Sequence, residues 1–326
     1  MSAARLLLRG GSALFHCVVQ AWTLTALFYW PVDASWAGPT MAAAYVLLTV
    51  GLLLRFRSPV RVSIIGFLLV ALPWMAIEPD QSGAFPPETA RLAWATFSDD
   101  EVTVHGVRNF RYRSDTDFTI AYEDRTYRLD DVRSVDLFVS YWDGHENIAH
   151  TFLSFGFTDG RFLTVSIEIR RETDETYDTL KGIFKQYEII YVWGDERDIV
   201  KVRTNIRGED VYCFRTTSSP RESRLLLVAM LEETTRLREQ PVFYNTVTRN
   251  CTSSIVLHVN EVLPRKIPWW NRRLMNGYSA RRAHAHGWIA GDGSFNDLKR
   301  RARITDRALA STDDAKFSLA IRRRPR

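Results

Sequence analysis

Asn250-Cys251-Thr252-Ser253-Ser254 is the stretch on which the reading of this chain turns. Asn250 is a good N-cap, because its side-chain oxygen can accept from the orphan amides of a first helical turn. Ile255, Val259 and Val262 then recur at helical spacing and Pro264 ends the run, so the pattern predicts a helix with Cys251 at its first position. A thiol there lies at the positive end of the helix dipole, which favours the thiolate, the nucleophilic form. The competing reading is a small buried apolar residue, the usual fate of a free cysteine.

A second stretch supplies partners for such a nucleophile. Ala149 to Phe157, the break Thr158-Asp159-Gly160, and Arg161 to Arg170 read as a β-hairpin. A three-residue loop with glycine in the left-handed position sets Phe157 opposite Arg161. It brings Leu153, Phe155 and Phe157 to the same side as Leu163, Val165, Ile167 and Ile169, whereas a two-residue turn would separate them. In that register His150 stands across from Glu168, on a polar face shared with Ser154, Thr164 and Ser166. An acid facing an imidazole holds one ring nitrogen and leaves the other free as a base. The alternative is a surface cross-strand pair, worth only about 0.2–1 kcal/mol.

Around these two stretches the pattern predicts strands at Phe118 to Tyr122, Thr126 to Leu129 and Val135 to Tyr141. It predicts a helix from Asp174 to Tyr187 capped by Thr173. Strands then follow at Glu188 to Trp193, Ile199 to Arg203 and Asp210 to Arg215, with Cys213 as a mid-strand core residue, and Ser219-Pro220 opens a helix through about Arg238. This order gives an α+β fold. Beyond it, Trp269 and Trp270 are expected to wrap the core rather than dip toward lipid. His284 and His286 form an H-x-H that nothing nearby completes, so no metal or cofactor is expected.

The N-terminal quarter differs in kind. The chain averages 46% hydrophobic and 25% charged residues, but the first 78 positions hold only two acids, Asp33 and Glu78. Three apolar runs, Gly11 to Trp30, Pro39 to Leu54 and Val62 to Ile77, read as transmembrane helices. A signal peptide would need a small-residue cleavage site that the first run lacks; a re-entrant hairpin competes for the other two, which are short. Arg5, Arg9, Arg55, Arg57 and Arg61 fall on one side, and the loop from Asp33 to Pro39 has no basic residue, so the N-terminus is expected in the cytoplasm. His16, inside the first run, is expected to snorkel or to pair with a neighbouring helix rather than to be functional.

The expected organisation is therefore a membrane anchor over 1–78, a linker over 79–92, an extracytoplasmic domain over 93–297 and a basic, mobile tail over 298–326. In a bacterium with an outer membrane the domain lies in the periplasm. A net charge of +5 spread along the chain, with no recognition motif, gives no reason to expect nucleic acid as a partner. The three cysteines are far apart and predict free thiols.

Several separated motifs then arrive in one order: Val107-Arg108-Asn109-Phe110-Arg111-Tyr112, Tyr141-Trp142, Ala149-His150-Thr151, Ser154-Phe155-Gly156-Phe157, Ser166-Ile167-Glu168-Ile169-Arg170, Asp195-Glu196-Arg197-Asp198, Arg203-Thr204-Asn205, Tyr244-Asn245 and Asn250-Cys251-Thr252. Over roughly residues 90 to 290 the chain resembles the bacterial family called the Lnb N-terminal periplasmic domain. That family is named for a lipoprotein N-acyltransferase and is similar to permuted papain-like (NlpC-type) thiol enzymes, in which the histidine precedes the cysteine. The resemblance implies Cys251 as nucleophile and His150 as base, and matches Glu168 to the acidic position after the hairpin. Asn250, Tyr244 and Ser166 are the supporting positions. Two departures are the insertion Asp143-Gly144-His145-Glu146 and membrane runs that precede the domain, where the named acyltransferase carries its extra region after it.

The implied activity is acyl transfer from a phospholipid, through a Cys251 thioester, to an amine such as a lipoprotein N-terminus, at the outer face of a bacterial inner membrane. The same residues would serve a cysteine peptidase or amidase acting on cell-wall peptides. A non-catalytic envelope binding module is the third reading.

Overall fold

The computed structural model describes residues 3–30, 36–56, 58–142, 144–264, 266–268 and 276–323, with side chains from Gly10 onward. Asp33, Arg57, Asp143, Trp269, Trp270 and Arg324-Pro325-Arg326 lie outside the described residues, as do the side chains of Arg5 and Arg9. The chain divides into two compact units.

The first unit comprises Met1–Gln81, Thr176–Tyr187 and Phe243–Asn245. Its helices are α1 (Ala3–Phe28), α2 (Ala37–Phe56) and α3 (Pro59–Met75). Two of them, α1 over Gly10–Phe28 and α2, are long and apolar enough to cross a membrane. The third expected span is corrected: α3 has 17 residues, a length of roughly 26 Å against a hydrocarbon core of about 30 Å. Ser58-Pro59 start it and the helix stops at Ala76, three residues after the internal Pro73. Inside the helix cluster His16 Nδ1 hydrogen-bonds Ser63 Oγ of α3, so the expected pairing with a neighbouring helix is present.

Thr176–Tyr187, expected as part of a helix, folds as turns with one 3-10 turn at Lys181–Ile183. Local side chains take the backbone groups a helix would use. Tyr187 Oη donates to Thr176 O at 2.7 Å and accepts from Asp178 N at 3.0 Å, while Asp178 Oδ1 accepts from the amides of Leu180 and Lys181. Lys185 donates to Trp74 O, Met75 O and Ile77 O at 2.9, 3.2 and 2.9 Å, satisfying carbonyls at the end of α3.

The second unit is a mixed α+β domain. After a single turn, α4 (Pro87–Ala90), come β1 (Trp94–Ser98), β2 (Glu101–Arg108), the small pair β3 (Arg111–Tyr112) and β4 (Phe118–Thr119), β5 (Tyr122–Arg128) and β6 (Val132–Tyr141). The hairpin strands are β7 (His150–Phe157) and β8 (Phe162–Arg170), followed by β9 (Glu188–Gly194), helix α5 (Glu196–Lys201) and β10 (Asp210–Arg215). Helices α6 (Pro220–Glu239), α7 (Cys251–Val262), α8 (Ser279–Ala285), α9 (Phe295–Ala302), α10 (Thr305–Leu309) and α11 (Phe317–Arg322) complete it. The sheet order is β1-β2-β9-β8-β7-β6-β10, with β5 also on β2. The β2–β9 contact is parallel and all other pairs are antiparallel.

The hairpin adopts the register its loop predicts. Phe152 pairs with Ser166 and Ser154 with Thr164, Phe157 N donates to Arg161 O at 3.0 Å, and Gly160 has φ +84°. Alternation then sends Leu153, Val165 and Trp193 to one face. There Trp193 Nε1 donates to Thr234 of α6 at 2.8 Å, and Tyr191 on the same face hydrogen-bonds His258 of α7 at 2.9 Å. The opposite face carries Phe138, Phe152, Ile190 and Val192, packed with Ile199, Val200, Ile304, Ala308, Phe317 and Ile321.

Two further expectations are corrected here. Ile199–Arg203, read as a strand, is helical: Asp195 caps α5 by accepting from Arg197 N, and the helix runs on into a π turn at Val202–Ile206. The segment from 298 onward, read as a mobile tail, is packed through Arg322. Ile304, Ala308, Phe317 and Ile321 are at most 1% exposed. Arg322 lies 2.8 Å from Asp136 and 2.5 Å from Glu196, carboxylates only 2% and 0% exposed. The basic cluster concealed this, since one of its arginines points inward to neutralise two buried acids.

Candidate active site

The cysteine helix is built as its capping pattern requires. Asn250 is extended, its Oδ1 accepts from Ser253 N at 2.9 Å, and Ser253 Oγ accepts from Asn250 N at 2.8 Å. Asn250 Nδ2 also donates to Thr246 O at 2.8 Å, which ties the cap to the preceding loop. Cys251 is thus fixed at the first helical position, and it is 6% exposed. Buried placement alone fits the bland reading of a core cysteine. Its neighbours do not.

His150 begins β7 and stacks its ring beside Phe152, with centroids 5.6 Å apart. Its Nε2 is 2.6 Å from Ser166 Oγ and 3.3 Å from Glu168 Oε1. Ser166 Oγ donates to Glu168 Oε1 at 2.5 Å, so the hydroxyl bridges ring and carboxylate. With Nε2 taken, Nδ1 is the nitrogen left, and the Cys251 thiol is close enough to the ring for each to shift the other's ionisation. Thr151 places both its amide and its hydroxyl against the sulfur, and its Oγ1 lies 2.8 Å from Thr252 Oγ1.

The charges follow from this geometry. Burial pushes the Cys251 thiol up, but the His150 hydrogen bond and charge and the two Thr151 donors outweigh it and bring it down to about 7. Burial works against an imidazolium at His150, yet the Glu168 carboxylate and the hydrogen bonds to Cys251 and Glu168 raise it to about 9. Glu168 resists protonation: burial would raise it, while His150, Arg203 and Ser166 hold it well below the usual carboxylate range. Around neutral pH the arrangement favours thiolate, imidazolium and carboxylate in series. Cys213, by contrast, is pushed far up by burial and Asp136, which disfavours its thiolate.

Two residues outside the expected set complete the surroundings. Arg203, 7% exposed and on the π turn, donates to Glu168 Oε1 at 2.8 Å and to Ile199 O at 2.7 Å, with its guanidinium 4.9 Å from the Phe152 ring centroid. Asn276 presents Nδ2 to the sulfur at 3.6 Å. The turn carrying Asn276 is held by residues on either side of the insertion: Gly277 N donates to Asn147 O at 3.3 Å and Tyr141 Oη donates to Gly277 O at 2.5 Å. A Cβ on Gly277 would lie 1.9 Å from Glu146 O, so only glycine fits there. Arg203 stood among the sequence motifs, but nothing local marked its guanidinium as turned inward to Glu168. Asn276 carried none, being close to Cys251 only through the fold.

An elongated apolar pocket opens beside the thiol. Thr151, Thr252 and Asn276 border it at the cysteine end, and Leu153, Val256 and Val259 line its length within about 930 Å³ of partly open space. His286 is on its wall, while His284 lies against Phe295; no cluster of three or more metal-ligating side chains occurs among the described residues.

The fold therefore gathers Cys251, His150, Ser166, Glu168 and Asn250 in the second unit. Tyr244, expected to support the site, belongs to the first unit, where its amide donates to Tyr187 O at 2.8 Å. Residues 118–277, which include the whole thiol–imidazole cluster, match the family model described as the Lnb N-terminal periplasmic domain. No curated protein and no solved structure matches the chain.

Proposed function

We propose, from the premise that residues 118–277 form a domain of that periplasmic family, that this chain is a membrane-anchored thiol acyltransferase of the lipoprotein N-acylating type. The anchor is the apolar segment 1–78, with the N-terminus cytoplasmic by its arginine placement, and the linker 79–92 leads to a periplasmic domain of papain-like, permuted NlpC-type organisation. The observation that carries the reading is the apolar pocket beside an activated thiol. Cell-wall peptides are polar and charged, and a lining of Leu153, Ile255, Val256 and Val259 suits hydrocarbon instead.

In this reaction the Cys251 thiolate attacks the ester carbonyl of a phospholipid. Negative charge develops on the carbonyl oxygen, between the Cys251 amide at the helix start and the Asn276 side-chain amide. The C–O bond breaks, the leaving alkoxide takes the proton from the His150 imidazolium, and a thioester remains. An amine, such as a lipoprotein N-terminus, then attacks the thioester and gives its proton to His150. Collapse expels the thiolate and leaves an amide. Glu168, through Ser166, keeps the ring oriented and stabilises its charged form. Holding the domain at the membrane raises the effective concentration of a lipid donor without any further contact.

The test is to incubate the full chain in phospholipid vesicles carrying an alkyne-tagged acyl chain and look for a hydroxylamine-sensitive label on Cys251. The expected result is label on the native chain, none on Cys251→Ala, and release to an added amine. Turnover of peptide amides with no lipid-derived label would replace this reading by the peptidase or amidase. An unlabelled, unreactive Cys251 would leave only a binding module.

A further inference from the structure

We propose that the apolar pocket is an acyl-chain site that runs along α7 and selects the chain by length. The inference rests on the acyl-transfer reading and deepens it, since it specifies the donor as an ester of a medium or long straight-chain fatty acid. Three features argue it.

The first is direction. The cysteine end of the pocket is Thr151, Thr252 and Asn276, the residues that touch or adjoin the sulfur. From there Thr252, Ile255, Val256 and Val259 follow successive turns of one helix face, and Leu153 follows Thr151 on the facing strand. A chain whose carbonyl carbon is bonded to Cys251 Sγ therefore has a continuous apolar path leading away from it.

The second is length. Thr252 to Val259 spans seven residues of helix, roughly 10.5 Å. On the sheet, Thr151 pairs with Val139 and the pocket reaches Val135, four residues further along β6 and roughly 13 Å away. An all-trans hydrocarbon with bonds of about 1.5 Å advances roughly 1.25 Å per carbon, so about eight to ten carbons fill the path. The third is chemistry. Leu153, Ile255, Val256 and Val259 present no hydrogen-bonding side chain to the path, and the polar lining of Ser218, Ser279 and Arg282 belongs to the rest of the wall. A polar acyl group lying against the α7 face would lose its water there without compensation.

The experiment measures Cys251 acylation of the full chain in detergent by p-nitrophenyl esters of two, four, six, eight and ten carbons. Each methylene that enters the pocket contributes about fourfold, so the six that distinguish octanoate from acetate should favour it by about a thousandfold or more in the native chain. Val259→Phe blocks the far end and should lower the ten-carbon rate at least tenfold with acetate and butyrate unchanged. Val256→Phe, one turn nearer, should cut the six- and eight-carbon rates as well. Acylation by acetate without any chain-length preference in the native chain would overturn the length-selecting site while the acyl-transfer reading stood. Both variants slowing all five esters in equal ratio would overturn it too. Failure of every ester to acylate Cys251 would sink the acyl-transfer reading itself, and the pocket assignment with it.

Discussion

His150 and Glu168 stand opposite each other on neighbouring strands, with the Ser166 hydroxyl between them: Nε2 is 2.6 Å from Ser166 Oγ and 3.3 Å from Glu168 Oε1. Removing that hydroxyl leaves the carboxylate in place but breaks the shorter contact to the ring. Ser166→Ala should therefore lower the acylation rate of Cys251 by about ten- to a hundredfold, with little change in the midpoint of urea unfolding. Stopped-flow acylation read beside an unfolding curve separates the two effects.

The pH dependence follows from the paired charges. Thiolate appears as pH rises through about 7, and the imidazolium that protonates the leaving group is lost as pH rises through about 9. Acylation by an ester with an alkoxide leaving group should give a bell with limbs near those values, which belong to the pair jointly. In His150→Ala the thiol loses its main partner, and the onset of iodoacetamide alkylation at the Cys251 peptide should move up toward the ordinary value of 9.0. An onset unmoved by His150→Ala would dissolve the pair.

His150 also contributes to stability with a definite sign. Its folded value is raised from 6.5 to about 9, so its contribution is fully present below about 6.5 and is lost as pH rises through about 9. The Cys251 thiol, lowered from 9.0 to about 7, contributes with the opposite sign over the same window, so the His150 loss shows only where the thiol is absent: Cys251→Ala should lose unfolding free energy there relative to Cys251→Ala/His150→Ala. Urea melts at pH 6 and pH 9.5 on both proteins check it.

Asn276 is placed to act on the oxyanion rather than on the thiol's ionisation. Asn276→Ala should cost about a hundredfold or more in acylation and leave the alkylation onset of Cys251 near 7. Gly277→Ala, whose Cβ would meet Glu146 O at 1.9 Å, must displace the same turn and should reproduce the loss. Wild-type acylation in Gly277→Ala would show that the turn has no part in it.

Arg322 should behave as a core residue. Its removal leaves Glu196, 0% exposed, with only the Ser154 hydroxyl, while Asp136 keeps Arg215, and a buried carboxylate left without its charged partner typically costs about 3–5 kcal/mol. Arg322→Met should lower the urea midpoint accordingly. A change within about 0.5 kcal/mol, as at an ordinary surface position, would restore the mobile tail.

What could be read in advance was whatever one or two local rules determine. The hairpin register follows from a three-residue loop ending in Gly160, and the start of α7 follows from Asn250 and Ser253, whose reciprocal bonds need only neighbouring residues. Ile199–Arg203 misled because its β-branched residues suit a strand, while the Asp195 cap that decides for helix lies outside the run. Thr176–Tyr187 misled in the opposite sense: its aromatic spacing is helical, but Tyr187 and Asp178 satisfy the backbone as turns. The site was legible as far as a thiol, an imidazole and a carboxylate. Ser166 as the bridge, Arg203 as the anchor and Asn276 at the sulfur depend on distances between elements that no local pattern encodes.

The pair is drawn from two layers that meet at the start of β7. His150 projects with Phe152 to the face covered by α5, α10 and α11, whereas α7 lies on the Thr151 and Leu153 side. Reactivity at Cys251 is therefore a property of the finished sandwich, since neither layer alone holds both groups. In an unfolded chain Cys251 lies about a hundred residues from His150 and carries only an ordinary thiol, so its ionisation near neutral pH reports that the two layers have come together.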